Sequence, residues 1–304
     1  MPNHVTNNLI FKGSKSEIQK LRNAIKGVDS DGDEIEIDFN KIIPMPESMN
    51  ITSGSLVDRG IAILKFTEQG DDSELRRMLD YQWVKAENIK TPQQLVDHFL
   101  AEDKGYEGYM QEARMALDNI EKYGHKDWYS WSIANWGTKW NAYNISSGES
   151  SLSFDTAWST PAQVIERLSE MFPNVEITLE FADEDFGYNC GIVVFLAGNV
   201  IEENIPEGGS AEAYAIATEV QGGEIDDLMY RICDGENEEF IEAMLHTAIK
   251  IYNVETLMYF VEEEEVDMFS ETFLEALKSV LIGLEEYEHI GVIDDKLNQK
   301  VGEE

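Results

Sequence analysis

The chain has 304 residues, 42% of them apolar and 10% aromatic, enough to bury a real core in one large domain or two ordinary ones. Lys and Arg number 23 against 60 Asp and Glu, a formal charge of −37. That excludes an ordinary nucleic-acid binder, which needs clustered cations, and argues against docking on an anionic membrane.

No run reaches the roughly 20 apolar residues of a spanning helix, and the opening MPNHVTNN is no signal peptide. Two cysteines, Cys190 and Cys233, suit a reducing compartment, so a cytoplasmic location is expected.

Taken in chain order, His4 to Phe11 reads as a strand, with Val5, Leu9 and Phe11 on one side. Ser14 caps a helix through Ile18, Leu21 and Ile25. A turn over Asp29 to Glu34 leads to alternating Ile35, Ile37 and Phe39, a second strand that ends before Pro44 and Pro46. Residues 47–72 offer only a short element at 60–66. Helical pieces follow over 73–123, one opened by Pro92 and one running from Tyr109 to Tyr123.

Strand signals return from Trp128, in a stretch holding Trp128, Trp131, Trp136 and Trp140, and again over Ser151 to Trp158. Pro161 starts a helix with Val164, Ile165 and Leu168 inward. Strands are predicted at Val175 to Phe181, Gly191 to Leu196 and Val200 to Ile205. Two β-α-β units, at 1–40 and 151–181, make an α+β fold. It is a ferredoxin-like α/β sandwich, one sheet with helices on one face and a helical insertion at about 73–123. This domain spans 1–205, and 206–304 is a mostly helical acidic region. There Ser210 caps a helix closed by Gly222 and Gly223, more helices follow, and a stripe from Val266 to Leu284 reads as one helix before a frayed tail from Asp294.

The charge is uneven. Residues 1–150 hold 17 basic and 24 acidic side chains, whereas 151–304 hold 6 and 36. A surface so acidic favours solubility, and it also suits a basic partner.

The segments NWGTKWNAY, FDTAWSTP and ADEDFGYNCG, with MPNHVTNNLIF and KIIPMPES, resemble Api92-like proteins over roughly residues 1–205. The resemblance implies a ferredoxin-like domain and an origin in phages, plasmids or genomic islands. It implies no reaction and no catalytic residues.

Candidate sites are few. Asp29 to Asp33 fails the calcium-loop pattern, because Glu34 takes the glycine position and Asn40 that of the final glutamate. Asp183, Glu184 and Asp185 adjoin along a strand end and do not converge by themselves. Glu286 and His289 form a single ExxH, short of a di-iron pair, and CxxC, P-loop and GxSxG patterns are lacking. No metal and no cofactor are expected. The tryptophan-rich stretch with Lys139 could stack bases as RNA-recognition sheets do, but the RNP consensus is missing and the charge opposes it, so no direct nucleic acid is expected.

Two functions remain. In the first, a non-enzymatic mobile-element protein binds and inhibits a host protein with a basic surface, such as a defence nuclease or other DNA-binding factor. Glu262, Glu263, Glu264 and Glu265 would contribute to a DNA-like array of charge. The apolar stripe would pack among the C-terminal helices or across a homo-oligomer. In the second, Trp136, Lys139, Trp158 and Asp183 line a pocket at the sheet for a small ligand or reaction.

Overall fold

The two-residue period of HVTNNLIFK builds β1 (His4–Lys12), which buries Val5, Asn7, Leu9 and Phe11 on one side in the computed structural model. The structure describes residues 3–29, 32–102, 108–221, 225–233 and 238–303. The chain forms two units, Met1–Asp38 with Asn141–Glu304, and Phe39–Trp140.

Ser14 caps α1 (Lys15–Ile25), its Oγ accepting from the Glu17 N–H at 3.2 Å. A short ladder follows, β2 (Gly27–Val28) against β3 (Glu34–Ile35). The strand expected over Ile35 to Phe39 shrinks to that ladder, because Ile37 and Asp38 are buried outside it and Phe39 opens a single helical turn. The turn expected before it includes Ser30 and Asp31, which lie outside the described residues.

The Phe39–Trp140 unit carries α2 (Ser55–Gln69), α3 (Ser73–Met78), α4 (Gln82–Ala86), α5 (Pro92–Glu102), α6 (Tyr109–Tyr123) and α7 (Trp128–Trp136). The insertion thus runs over 39–140, wider than the 73–123 expected, since α2 replaces the uncertain stretch and packs on α6. Their crossing is close: a Cβ on Gly60 would stand 2.6 Å from that of Ala113. The tryptophan-rich stretch is helical, against the strand expected. Asp127 and Ser130 form a capping box, and this local signal outweighs the β preference of aromatic residues.

The first unit resumes with β4 (Tyr143–Ser147), β5 (Ser151–Ala157), α8 (Ala162–Met171), β6 (Glu176–Asp183), β7 (Cys190–Leu196) and β8 (Asn199–Asn204). One antiparallel sheet runs in the order β4-β5-β1-β6-β7-β8. With β1 between β5 and β6, the chain order β1-α1-β4-β5-α8-β6 is the β-α-β-β-α-β of a ferredoxin-like sandwich. The expected union of both β-α-β units in one sheet holds, as β1 pairs directly with β6 from Val5 opposite Asp183 to Lys12 opposite Glu176. The second strand of the first unit is β4, however, because the insertion separates it from α1.

Leu9, Phe11, Leu152, Phe154, Leu179 and Phe181 fill one face of the sheet, where Val164, Ile165 and Leu168 of α8 are also buried. The opposite face is not bare. Helix α9 (Ala211–Gln221), capped by Ser210, lays Ala213, Ile216, Ala217 and Val220 over Ala182 and Cys190. Helices therefore cover both faces, and the chain beyond 206 remains part of the first unit. Gly222 and Gly223, expected to close α9, lie outside the described residues.

Helices α10 (Ile225–Cys233), α11 (Glu238–Tyr252), α12 (Val254–Glu263), α13 (Glu271–Gly283) and α14 (Ile290–Glu303) complete the chain around a core of their own. The stripe from Val266 to Leu284 is broken rather than continuous. Ser270 caps α13 by accepting from the Phe273 N–H at 3.0 Å, and the preceding residues form one separate turn. The tail is not frayed at 294, because α14 buries Ile293 and anchors Lys296.

Candidate functional site

Trp136 and Lys139 lie in the inserted unit, Trp158 and Asp183 in the sheet unit. Trp136 is 4% exposed, donates its indole N–H to the Ile43 carbonyl at 2.9 Å and meets Phe39 and Trp131 edge to face. It is a core residue. Lys139 holds its ammonium 4.5 Å from the Trp140 ring centroid, a cation–π contact.

Trp158 and Asp183 meet through two asparagines that the sequence did not single out. The Trp158 N–H donates to the Asn3 carbonyl at 2.9 Å, and the Asn3 amide donates to Asp183 Oδ1 at 3.1 Å. Asn189 donates to Asp183 Oδ2 at 3.0 Å and to the Trp158 carbonyl at 3.4 Å. The Asp185 N–H donates to Asp183 Oδ1 at 2.9 Å. Asp183 is 4% exposed and both its oxygens are engaged, so it fastens the β6–β7 loop instead of offering a carboxylate to a cation. Asn3 lies 180 positions from Asp183 and Asn189 only 6, and neither separation leaves a periodic signal in the sequence.

On the sheet face that α9 shares, β4, β5 and β1 carry a polar row: Tyr143 opposite Asp155, and Asp155 opposite Thr6. Tyr143 Oη lies 2.7 Å from His4 Nδ1, while Thr6 and Asn144 donate to Asp155. Burial and the charges of Asp155 and Glu184 push the Tyr143 phenol up to about 12, so it stays protonated at neutral pH. The charges of Asp155 and Glu184 bear on this row, and α9 covers the same sheet face at β6 and β7.

Under α9, burial first and the charge of Glu219 second raise the carboxyl of Glu180 above its ordinary value. The folded protein therefore binds this proton more tightly than the unfolded chain, and the group's contribution to stability falls as pH rises from 4.5 through the folded value. Glu180→Gln is expected to stabilise the protein at pH 7 by on the order of 0.5 kcal/mol, the scale of one like-charge pair. The gain should vanish near pH 4, which thermal melts of both proteins across pH would check.

The glutamates Glu262 to Glu265 straddle a helix end instead of lining one helical face. Glu262 and Glu263 end α12, Glu264 is its C-cap and Glu265 precedes the next turn. Glu262, Glu263 and Glu265 are exposed, while Glu264 accepts from the Tyr230 hydroxyl at 3.4 Å. The Glu264 carbonyl accepts from Lys296 Nζ at 2.7 Å, and burial lowers the Lys296 ammonium despite the neighbouring Glu264 and Glu262. Carboxylates at a helix C-terminus meet the negative end of its dipole, so this placement costs stability.

Glu286, Glu288 and His289 bring one ligand atom each within 4.8 Å of one another, an open acidic cluster beside α14. No helix among the described residues is long and apolar enough to cross a membrane. Cys190 is buried against α9, its thiol donating to the Ala213 carbonyl at 3.3 Å, and burial raises its pKa.

The fold and these sites define a ferredoxin-like sandwich with an inserted helical unit and an acidic helical end. Residues 135–226 match a family model described as the ferredoxin-like domain in Api92-like protein, which bears out the resemblance read from the sequence for that segment. A crystal structure of a protein api92 from Yersinia pseudotuberculosis is similar over 69% of this chain and 99% of its own, at 13% identity and a TM-score of 0.33. No curated protein matches the chain.

Proposed function

We propose that the chain is a non-enzymatic accessory protein of a phage or other mobile element, which binds a cationic surface of a host protein in the bacterial cytoplasm and blocks it. A nuclease or other DNA-binding factor has such a surface.

The observation that carries this reading is the state of the carboxylates on α12, α13 and the turn between them. Glu255, Glu262, Glu263, Glu265, Glu271 and Glu275 are exposed, and no ion pair among the described residues neutralises them. The apolar sides of the same helices are spent on their own core, where Phe269, Phe273 and Leu277 are fully buried. An oligomer built through these helices would have to use the exposed Tyr259, Ile282, Leu284 and Tyr287 instead. Against the pocket reading, Trp136 and Asp183 are engaged in holding their own units together.

Replacing Glu262 to Glu265 with glutamine removes four charges while leaving the backbone bond from Lys296 in place. The variant is expected to melt at or slightly above the wild-type temperature, since charges opposing a helix dipole are removed. In affinity capture from host lysate at low salt, the wild type should retain a basic protein that elutes as salt rises. A captured protein that holds the quadruple variant equally well would sink this reading.

A further inference from the structure

The sheet unit is overwhelmingly acidic. Residues 1–38 and 141–304 contain 11 Lys and Arg against 44 Asp and Glu. Yet one cavity of that unit inverts the balance. Where β1 runs into the first turns of α1, beside the 148–150 turn, a cleft of about 730 Å³ is lined by Lys12, Lys15, Arg22 and Lys26, with Glu36 and Glu149 as its acids. Four of the unit's eleven cations thus converge on one concavity.

Arg22 fixes this site. It is 8% exposed, and its Nη1 donates to the carbonyls of Gly148 at 3.0 Å and Ser151 at 3.1 Å, which ties the β4–β5 turn to α1. Its Nη2 donates to Glu36 at 2.8 Å, and the buried Nε–H has no hydrogen-bond partner among the described residues. Glu36 also accepts from Lys26 at 2.7 Å, and these two cations hold its carboxyl below the usual range. Lys12 and Lys15 stand at the rim, with side chains 79% and 91% exposed, paired with Glu176 at 3.0 Å and Glu149 at 2.5 Å.

We propose that this cavity binds a small phosphorylated molecule, its phosphate held by Lys12, Lys15 and Lys26 above the Arg22 floor. The class follows from competition. The rim lysines already have carboxylates, so a monocarboxylate gains nothing by replacing them. A phosphate brings a charge near −2 and three acceptor oxygens to the same ammonium groups. The positive end of α1 adds to the attraction. The volume is that of a small-molecule site. A nucleic-acid strand, by contrast, would have to run over the acidic surface around it.

Calorimetric titration of the full chain with inorganic pyrophosphate tests this, with acetate and oligothymidylate as comparison probes. Saturable one-to-one binding of pyrophosphate is expected, with neither comparison probe binding. Lys15→Gln should weaken it about tenfold, the scale of one charged hydrogen bond. Glu149→Gln should tighten it, because a competing carboxylate is removed. Lys20→Gln, on the same helix but outside the cavity and paired with Glu17, should leave it unchanged. All three positions are exposed, so the fold is not at risk. Absence of saturable pyrophosphate binding would overturn the proposal. So would equal weakening by Lys20→Gln and Lys15→Gln, or oligothymidylate binding as tightly as pyrophosphate.

Discussion

Phe273→Ala is expected to destabilise the C-terminal helices by about 3–5 kcal/mol, the range for emptying a fully buried phenylalanine site. The ring is 0% exposed and stacks on Phe269 with centroids 5.2 Å apart and planes 17° from parallel. Phe269 in turn meets Phe260 and lies under the Lys296 ammonium, so α12, α13 and α14 all converge on this pair. Truncation leaves a void that neighbours fill only in part, because each is already in contact with another helix. Denaturant titration followed by far-ultraviolet circular dichroism should show a lowered midpoint. A loss below about 1 kcal/mol would mean that the site collapses freely and that this core is loosely packed.

Asp183→Ala is the second large effect, expected at about 3 kcal/mol. Removing the carboxylate strands the amides of Asn3 and Asn189 and the Asp185 N–H, all of which it accepts from. The β6–β7 loop and the start of β1 lose their common anchor. Asp183→Asn, which keeps the shape and one acceptor oxygen, should cost roughly half as much, since an amide group replaces the second acceptor. The pocket reading predicts a different pattern, with unchanged melting and a lost ligand. Melting temperatures of the three proteins decide between them. Equal stability of the alanine variant would remove the structural role assigned to Asp183.

How much of this was legible in the sequence depends on the range of each interaction. Wherever a signal is local, the chain spells out its own structure. Ser14 caps α1, Pro92 opens α5, Tyr109–Tyr123 is helical as its apolar spacing requires, and the alternation of Ile177, Leu179 and Phe181 makes β6. Local signals also mislead when two compete. The aromatic density of residues 128–136 favours a strand, but a capping box at Asp127 starts a helix. Ile35, Ile37 and Phe39 alternate as a strand should, yet of the three only Ile35 finds a strand partner.

Charge is likewise a property of sequence: the acidic end and its scarcity of cations need no coordinates. Tertiary structure alone decided which distant segments meet. Arg22 and the Gly148 carbonyl are 126 positions apart, and Asn3 and Asp183 are 180 apart, so no periodicity could have paired them. The cationic cavity and the Asp183 anchor both arise from sheet order, which sets β1 between β5 and β6. The cover of α9 over the second sheet face is decided the same way. Its apolar residues need a surface, and only the assembled sheet, with Ala182 and Cys190 small enough to admit a helix, supplies one.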